Sequence, residues 1–178
     1  MTEGLPDVFE DVDSLEEALS RPDDALIEDL RALDGDLTVL GAGGKMGPSL
    51  TAMALRAFRA AGRKRRVLAV SRFTETAARA RLEAAGAETI PCDLLDEQAV
   101  ARLPHTPLVM YLAGMKFGAT GAEPRTWAMN AYVPGCVARH YGGSRMAAFS
   151  TGNVYGLVPV ARGGSREDDP LRPVGEYA

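Results

Sequence analysis

Three glycines, Gly41, Gly44 and Gly47, follow the short apolar run that ends at Leu40. In a turn from strand to helix, the first glycine permits a tight bend, the second lets the backbone approach a pyrophosphate, and the third lets the helix pack closely on the strand. Free N–H groups at the start of the helix can then hold phosphates. This pattern predicts nucleotide binding, and the alternative interpretation is a purely structural turn.

The same turn argues against a second class of phosphate-binding loop. The loop of nucleoside triphosphatases needs a lysine followed by serine or threonine, whose hydroxyl binds magnesium. Here Lys45 is followed by Met46 and Gly47, so that hydroxyl is absent. Triphosphate hydrolysis is therefore disfavoured. The candidate phosphate-binding residues of the turn are Gly41, Gly43, Gly44, Lys45, Met46 and Gly47.

The end of the next apolar run indicates which cofactor this turn would hold. A domain specific for NAD places a carboxylate there, which binds the ribose 2′-hydroxyl. This chain has Ser71 and Arg72 instead, with Lys45 as a second cation nearby. Guanidinium and phosphate pair through charge-assisted hydrogen bonds, so we expect NADP as the cofactor, with NAD as an alternative. The simpler interpretation of Arg72 is an exposed residue that leads into a helix.

Short apolar runs alternate with alanine-rich helical stretches from Leu37 onward, which is typical of strand–helix units in a parallel sheet. The predicted strands are Leu37–Leu40, Val67–Ser71, Glu88–Cys92, Leu108–Leu112 and Met146–Ser150, and the predicted helices lie near 45–61, 75–85, 96–102 and 124–141. The strands are apolar on both sides, as expected when helices cover both faces of the sheet. Right-handed crossovers then predict an α/β fold with a doubly wound parallel sheet, a Rossmann domain with strand order 3-2-1-4-5.

Residues 1–36 differ from the rest of the chain because they are acidic and poor in glycine. Their leucines recur at helical spacing, which predicts two short helices. Ser14 or Asp13 can cap the first helix, and Ser20 can start the second. We interpret the segment as a helical extension that packs on the following domain, 37–178. A helix that binds a partner protein is the alternative.

Composition and charge argue against several other classes of function. The net charge is −4, and acidic residues outweigh the basic run 63–66, so nucleic acid is not an expected partner. Cys92 and Cys136 form neither a disulfide framework nor a metal-ligand pattern, so we expect reduced thiols and no metal. The chain shows no signal peptide and no apolar stretch long enough to cross a membrane, so we expect a cytoplasmic protein.

Five motifs occur in a fixed order between residues 37 and 178. They are the glycine turn, Asp93-Leu94-Leu95-Asp96, Tyr111-Leu112-Ala113-Gly114, Asn130 followed by Gly135, and the run from Phe149 to Gly156. In this order they resemble the GxxGxxG, DLxD, HLAA, helix-asparagine and FSSxxVYG motifs of the extended short-chain dehydrogenases/reductases. That family includes sugar-nucleotide epimerases, dehydratases and reductases. The joint order is far more specific than any one motif.

The resemblance implies cofactor-binding roles for several of these residues. Asp93 would contact the adenine amino group with Leu94 beside it, and Asn130 would belong to the same cofactor site. Residues of the HLAA motif line the cofactor beside its ribose, which here means Leu112, Ala113 and Gly114. Each motif also has a simpler interpretation: Asp93 as the cap of the next helix, Asn130 as a residue that bonds its own helix, and Tyr155 as packing in a turn.

The resemblance also implies a catalytic pair, Thr151 and Tyr177. A serine or threonine at the first position holds the substrate hydroxyl, and a tyrosine at the second moves a proton. A tyrosine has an ordinary pKa near 10, and the family lowers that pKa with a lysine four residues later. The chain ends at Ala178, so we expect a C-terminally truncated member that lacks the substrate region and is inactive by itself.

The implied reaction is hydride transfer between C4 of a nicotinamide and a secondary alcohol or ketone of a small molecule, such as a sugar or sugar nucleotide. Dehydratases of the family carry an acid pair after the threonine, whereas this chain has Gly152 and Asn153. An oxidoreductase or epimerase is therefore favoured, with oligomer formation left open. The alternative is a non-catalytic domain that senses NAD(P) or serves as a scaffold. A lysine codon four positions after Tyr177 would favour the enzyme, and a stop codon after Ala178 the sensor.

Overall fold

The sheet follows the predicted topology. The computed structural model describes residues 6–116 and 121–178. One parallel sheet, in the order β3-β2-β1-β4-β5, is built from the strands β1 (Leu37–Leu40), β2 (Val67–Ser71), β3 (Glu88–Pro91), β4 (Leu108–Tyr111) and β5 (Arg145–Ala148). The predicted α/β fold with a doubly wound parallel sheet is confirmed.

The edge strand β5 is displaced from its predicted position. It begins at Arg145 and ends at Ala148, whereas the sequence pattern predicted an end at Ser150. β5 pairs only with β4, and the register places Ala148 opposite Tyr111, the last residue of β4. The N–H of Phe149 donates one more hydrogen bond to the carbonyl of Tyr111, at 2.9 Å. The strand ends there because β4 has also ended.

Helices flank the sheet and precede it. They are α1 (Val12–Leu19), α2 (Asp24–Ala32), α3 (Gly47–Ala60), α4 (Thr76–Ala85), α5 (Glu97–Ala101), α6 (Glu123–Trp127) and α7 (Val133–His140), with short 3-10 turns at Gly152–Tyr155 and Val160–Arg162. The predicted single helix at 124–141 is interrupted, because a π-helical turn, Ala128–Tyr132, joins α6 to α7. Pro134 accounts for the interruption, since it lacks an N–H and its ring crowds the carbonyl of Asn130.

Two apolar clusters bury the two faces of the sheet. On one face, Val39 of β1 belongs to a cluster with Leu55 and Phe58 of α3. On the other face, Leu40 of β1 belongs to a cluster with Val133 of α7. Successive side chains of a strand point to opposite faces, so a strand covered on both sides must be apolar at every position or satisfy its polar groups internally.

The caps of the two N-terminal helices differ from those predicted. Asp11 caps α1, because its carboxylate accepts a hydrogen bond from the N–H of Ser14 at 2.7 Å, and Ser14 completes a capping box. The predicted caps Ser14 and Asp13 lie inside the helix instead. Asp23, and not Ser20, caps α2. In both helices a carboxylate at the residue before the first turn satisfies an otherwise unpaired N–H.

Both N-terminal helices pack on the body of the chain. Arg56 of α3 forms an ion pair and hydrogen bonds with Glu17 of α1. Leu30 and Leu33, on and just after α2, pack against the cluster beneath α3. The apolar positions Leu30 and Leu33 are thus used within the chain, whereas Leu19 of α1 is half exposed.

The basic run 63–66 forms ion pairs where the chain enters the sheet. Arg65 pairs with Asp34 at 2.7 Å, and Arg66 pairs with Asp36 at 2.8 Å. Desolvation opposes ionisation of Asp36, but the hydrogen bonds from Arg66 outweigh it and hold the pKa of this carboxyl below its ordinary value. These contacts join the residues that precede β1 to those that precede β2.

An apolar groove of about 370 Å³ lies on the α3 face, between α2, α3, β4 and β5. Leu30, Met53, Met110 and Met146 are typical of its lining, in which Arg145 is the polar exception. Small-molecule sites combine apolar walls with a few convergent polar groups that orient the ligand. This groove has too few polar groups to orient a ligand. The polar grooves at the carboxyl ends of the strands are better candidates for a ligand site.

Gly47 provides a test of how closely α3 packs on the turn after β1. A Cβ at Gly47 would lie 2.1 Å from the carbonyl oxygen of Ala42, so Gly47→Ala should destabilise the fold by about 1–3 kcal/mol. Gly135 is the matched control, because a Cβ there meets no atom within 4 Å, and Gly135→Ala in α7 should stabilise by about 0.5–1 kcal/mol. Urea unfolding measures both changes. Equal stabilities for the two variants would contradict the close packing.

Candidate nucleotide-binding site

The predicted site residues meet at the carboxyl ends of the strands. β1 lies at the centre of the sheet with β2 on one side and β4 on the other, so the chain leaves β1 at the point where the strand order reverses. In open α/β sheets, a crevice forms outside the strands at such a point, and ligands bind there. Three adjoining grooves occupy this edge of the structure.

The glycine turn is pressed between neighbouring strand ends. Gly41 has φ +87°, and a Cβ there would lie 2.7 Å from the backbone nitrogen of Ala113. A Cβ at Gly43 would lie 2.6 Å from the hydroxyl oxygen of Ser71. The N–H of Gly44 donates a hydrogen bond to the carbonyl of Gly41 at 3.0 Å, which closes the turn. The turn therefore has backbone, and no side chain, where it meets the strand ends.

The helix that follows the turn has no side-chain cap. Met46 stands at the capping position of α3 without a side-chain hydrogen bond, and Pro48 occupies the first turn. The positive end of the helix dipole and any unpaired N–H groups of that turn can therefore act on an anion. This is the chemistry expected of a phosphate-binding turn.

The first groove, of about 190 Å³, lies between the ends of β2, β3 and β4. Ser71 and Arg72 line it from β2, Asp93 and Leu94 from β3. The residues that line it after β4 are Leu112, Ala113 and Gly114. All seven were singled out in the sequence, so the fold brings together what the motifs placed far apart along the chain.

The carboxylate of Asp93 is only partly engaged by the protein. Asp93 Oδ1 accepts a hydrogen bond from the N–H of Leu95 at 3.1 Å. The cap of α5 is Asp96, whose carboxylate accepts from Gln98 and Ala99. The alternative interpretation of Asp93 as that helix cap is therefore wrong. Its exposed side chain lines the first groove.

The second groove, of about 640 Å³, continues from the first past the glycine turn. Its lining includes four basic residues, Lys45, Arg72, Lys116 and Arg125, and no acidic residue. In the part of the chain that the structure describes, no ion pair is formed by Lys45, Arg72 or Arg125. A concave surface with one sign of charge attracts anions, and here the anion would lie beside the start of α3.

The third groove, of about 280 Å³, lies between the ends of β4 and β5. Thr151, Tyr177 and Asn130 line it together. Thr151 Oγ1 accepts a hydrogen bond from the N–H of Asn153 at 3.2 Å and so caps the 3-10 turn Gly152–Tyr155. The structure thus brings the two predicted catalytic residues into one groove, although 25 residues separate them in the sequence.

Asn130 holds the loop that runs between the second and third grooves. Its amide donates to the carbonyl of Met115 at 3.0 Å, and its Oδ1 accepts from the N–H of Met115 at 2.8 Å. The alternative interpretation, a bond within its own helix, is therefore wrong. The paired bonds fix the backbone next to Lys116.

Tyr111 lines the third groove, and its hydroxyl is buried without a hydrogen-bond partner among the described residues. Its side chain as a whole is also buried. Burial raises the pKa of Tyr111 to about 12, so the phenol stays neutral at physiological pH. It therefore cannot supply a charge to the groove.

Sequence reasoning missed several residues that line the grooves. Lys116 follows β4 and Arg125 lies on α6, both outside every motif. Met129 lies in the π turn directly before the motif residue Asn130, but the sequence predicted no role for it. Phe73 has φ 50°, which is exceptional for a bulky residue, and the backbone turns sharply there after Arg72. A glycine at such a position would have been a signal, whereas a phenylalanine gives none.

Three further findings concern a metal site, the cysteines and a membrane crossing. Among the described residues, no three His, Cys, Asp or Glu side chains are grouped to hold a metal ion. Cys92 and Cys136 are both buried and unpaired, and burial together with Asp93 raises the pKa of the Cys92 thiol. In the described part of the chain, no helix combines the length and the apolar character that a membrane crossing requires.

Solved structures of similar fold come from several bacteria. The Bordetella bronchiseptica enzyme WbmG, solved with NAD and UDP, is 19% identical with a TM-score of 0.63, and the match covers 82% of this chain and 46% of that one. ADP-L-glycero-D-manno-heptose-6-epimerase of Helicobacter pylori is 16% identical with a TM-score of 0.66, and the match covers 87% of this chain and 49% of that one. RMD of Pseudomonas aeruginosa, solved with NADPH, is 20% identical with a TM-score of 0.54, and the match covers 81% of this chain and 44% of that one.

These likenesses establish the fold, and the chain spans about half the length of the solved chains. A search of curated proteins finds no significant match. The model of the NAD-dependent epimerase/dehydratase family matches residues 37–178, which includes the glycine turn, the three grooves and the whole sheet. The chain belongs to the NAD-dependent epimerase/dehydratase family.

Proposed function

We propose that residues 37–178 form the nicotinamide-dinucleotide-binding domain of an oxidoreductase or epimerase, with 1–36 as a helical extension braced on α3. One observation carries this proposal. The three grooves share lining residues, including Gly114, and follow one another along the carboxyl edge of the sheet. An elongated ligand with a doubly charged centre fits a path whose middle section is its most basic part, with four basic residues and no acidic residue in the lining.

Each part of a dinucleotide has a matching section of this path. Asp93 and Leu94 suit an adenine in the first groove, because a carboxylate can accept from the adenine amino group. The glycine turn, Lys45 and Met46 suit the pyrophosphate in the second groove. A nicotinamide would then enter the third groove, beside Thr151.

The end of β2 favours NADP over NAD in our proposal. Ser71 and the exposed Arg72 line the first groove at the place where a ribose 2′-hydroxyl or 2′-phosphate would lie. A carboxylate there would repel a phosphate, whereas a guanidinium can bind it through two parallel hydrogen bonds. Because Arg72 forms no ion pair in the described chain, no internal bond must be broken first.

The chemistry that a bound nicotinamide supplies is the gain or loss of a hydride at C4. Within the third groove, the hydroxyl of Thr151 would hold the substrate oxygen, and the phenol of Tyr177 would donate or accept the proton. Gly152 and Asn153 follow Thr151, so this chain lacks an acid pair there for dehydration. Oxidation, reduction or epimerisation at a secondary alcohol or ketone is the proposed outcome.

A sugar nucleotide is the proposed substrate class. Support comes from the solved structures of similar fold, among which are a UDP-bound enzyme and a UDP-N-acetylglucosamine 4-epimerase from Methanobrevibacter ruminantium.

The preference for NADP is testable by titration calorimetry. We expect wild-type protein to bind NADPH more tightly than NADH, because the 2′-phosphate gains a charge-assisted contact of about 1.5–3 kcal/mol, roughly ten- to hundredfold in Kd. Arg72→Ala should remove most of the difference. The exposed Arg162 provides a control, and Arg162→Ala should leave both affinities unchanged. Equal wild-type affinities for the two cofactors would contradict the preference.

Replacing Gly44 tests the phosphate-binding turn itself. A Cβ at Gly44 meets one atom, the carbonyl oxygen of Gly41 at 3.2 Å, and the branched side chain of Gly44→Val would fill the space proposed for the pyrophosphate. We expect loss of NADPH binding with an unchanged circular dichroism spectrum. Gly143→Val is the control, since Gly143 has open space around it. Full binding by the folded Gly44→Val protein would show that the turn is only structural.

The position of the nicotinamide is testable with fragments of the cofactor. Protein labelled with 3-fluorotyrosine gives a fluorine NMR signal for each tyrosine, and Tyr177→Phe identifies the signal of Tyr177. We expect NADPH to shift this signal and adenosine 2′,5′-bisphosphate to leave it in place, because only the dinucleotide is long enough to reach the third groove. If the fluorine signal of Tyr177 does not shift at saturating NADPH, the proposal of hydride transfer beside Thr151 loses its support.

A further inference from the structure

The position of Tyr177 needs an explanation that regular secondary structure does not supply. Between Leu157 and Ala178 the structure has one short 3-10 turn, and most side chains are exposed. Tyr177 and Ala178 are nevertheless half-buried in the third groove. Specific contacts must therefore hold the end of this segment.

The backbone returns to the third groove at Arg172. The N–H of Arg172 donates a hydrogen bond to the carbonyl of Val154 at 2.7 Å. Gly156 makes the approach feasible, since it has φ +72° and a Cβ there would lie 2.8 Å from the carbonyl oxygen of Arg172. Residues 172–178, which we call the strap, thus start beside the turn that Thr151 caps.

The first side-chain contact of the strap is made by Glu176. Its carboxylate accepts a hydrogen bond from the indole Nε1–H of Trp127, the last residue of α6. The neighbouring Thr126 is fully buried, and its hydroxyl donates to the carbonyl of Ala122 at 3.2 Å. The donor is therefore carried by a well-anchored helix, and bonds to an ionised acceptor are among the stronger hydrogen bonds.

The second contact is made by Tyr177 itself. The ammonium of Lys116 lies 5.6 Å from the centroid of the Tyr177 ring, within the range of a cation–π interaction. The backbone of the preceding residue, Met115, is fixed at both its N–H and its carbonyl by Asn130. Two elements of the body of the chain thus approach two successive residues of the strap.

We propose that Trp127 and Lys116 are positioning residues for Tyr177. Trp127 acts through Glu176, and Lys116 acts on the ring directly. The purpose assigned to them rests on the proposed function, because a tyrosine that moves a proton must be held within about 0.5 Å of its productive position. Neither residue belongs to the motifs that carry the family resemblance, so the resemblance alone does not imply this arrangement.

Fluorine NMR of the 3-fluorotyrosine protein, without any cofactor, tests the arrangement. In the wild type, the Tyr177 signal should differ from that of tyrosine in an unfolded peptide. Trp127→Phe keeps an aromatic ring and removes the donor, and Lys116→Gln keeps the length and removes the charge. Each should move the Tyr177 signal toward the unfolded-peptide position, while the other tyrosine signals and the urea midpoint stay unchanged.

Two controls separate positioning from a general loss of structure. Lys116→Arg retains the cation and should retain the wild-type Tyr177 signal, and Lys64→Gln removes an exposed lysine elsewhere and should have no effect. A Tyr177 signal that lies at the unfolded-peptide position in the wild type, or that stays put in both test variants, would overturn the proposal. Because no cofactor is present, this outcome is independent of calorimetry, which tests NADPH binding and so the proposed function.

Discussion

Close backbone contact at the turn after β1 is the constraint on which the site depends. Gly41 lies against the backbone of Ala113 at the end of β4, and Gly47 lies against the carbonyl of Ala42 at the start of α3. A side chain at either glycine would push the helix or the neighbouring strand away. Because residues of this turn line the first and second grooves, the shape of both depends on the close backbone contacts of its glycines.

Basic side chains gather at both ends of the strands, and they differ in whether carboxylates neutralise them. Where the strands begin, Arg65 and Arg66 are neutralised by carboxylates that precede β1. Where the strands end, four basic residues and no acidic residue line the second groove. A concave surface with one sign of charge attracts ions of the opposite sign. The first set of charges supports the fold, and the second is the set that our proposal assigns to the pyrophosphate.

The irregular helix after β4 connects packing with the site. Pro134, in the first turn of α7, lacks the N–H that a continuous α-helix would donate to the carbonyl of Asn130, and Asn130 lies in the π turn that precedes α7. From there, Asn130 reaches the backbone of Met115 and fixes the loop that carries Lys116. π turns recur at functional sites in proteins for this reason, since the extra residue directs a side chain away from the regular helical path.

The sequence by itself predicted the strand order, the glycine turn and most residues of the first groove, because the alternation of strands with helices, glycine spacing and short motifs can be read along the chain. Its errors were also local: the caps Asp11 and Asp23, the end of β5 and the break in the helix at 124–141 depend on which neighbour competes for each backbone group. Only the tertiary structure decided that Lys116 and Arg125 line the second groove, and that Trp127 and Lys116 contact Glu176 and Tyr177. These residues meet across long separations, and no periodicity or spacing encodes which loops will fold together.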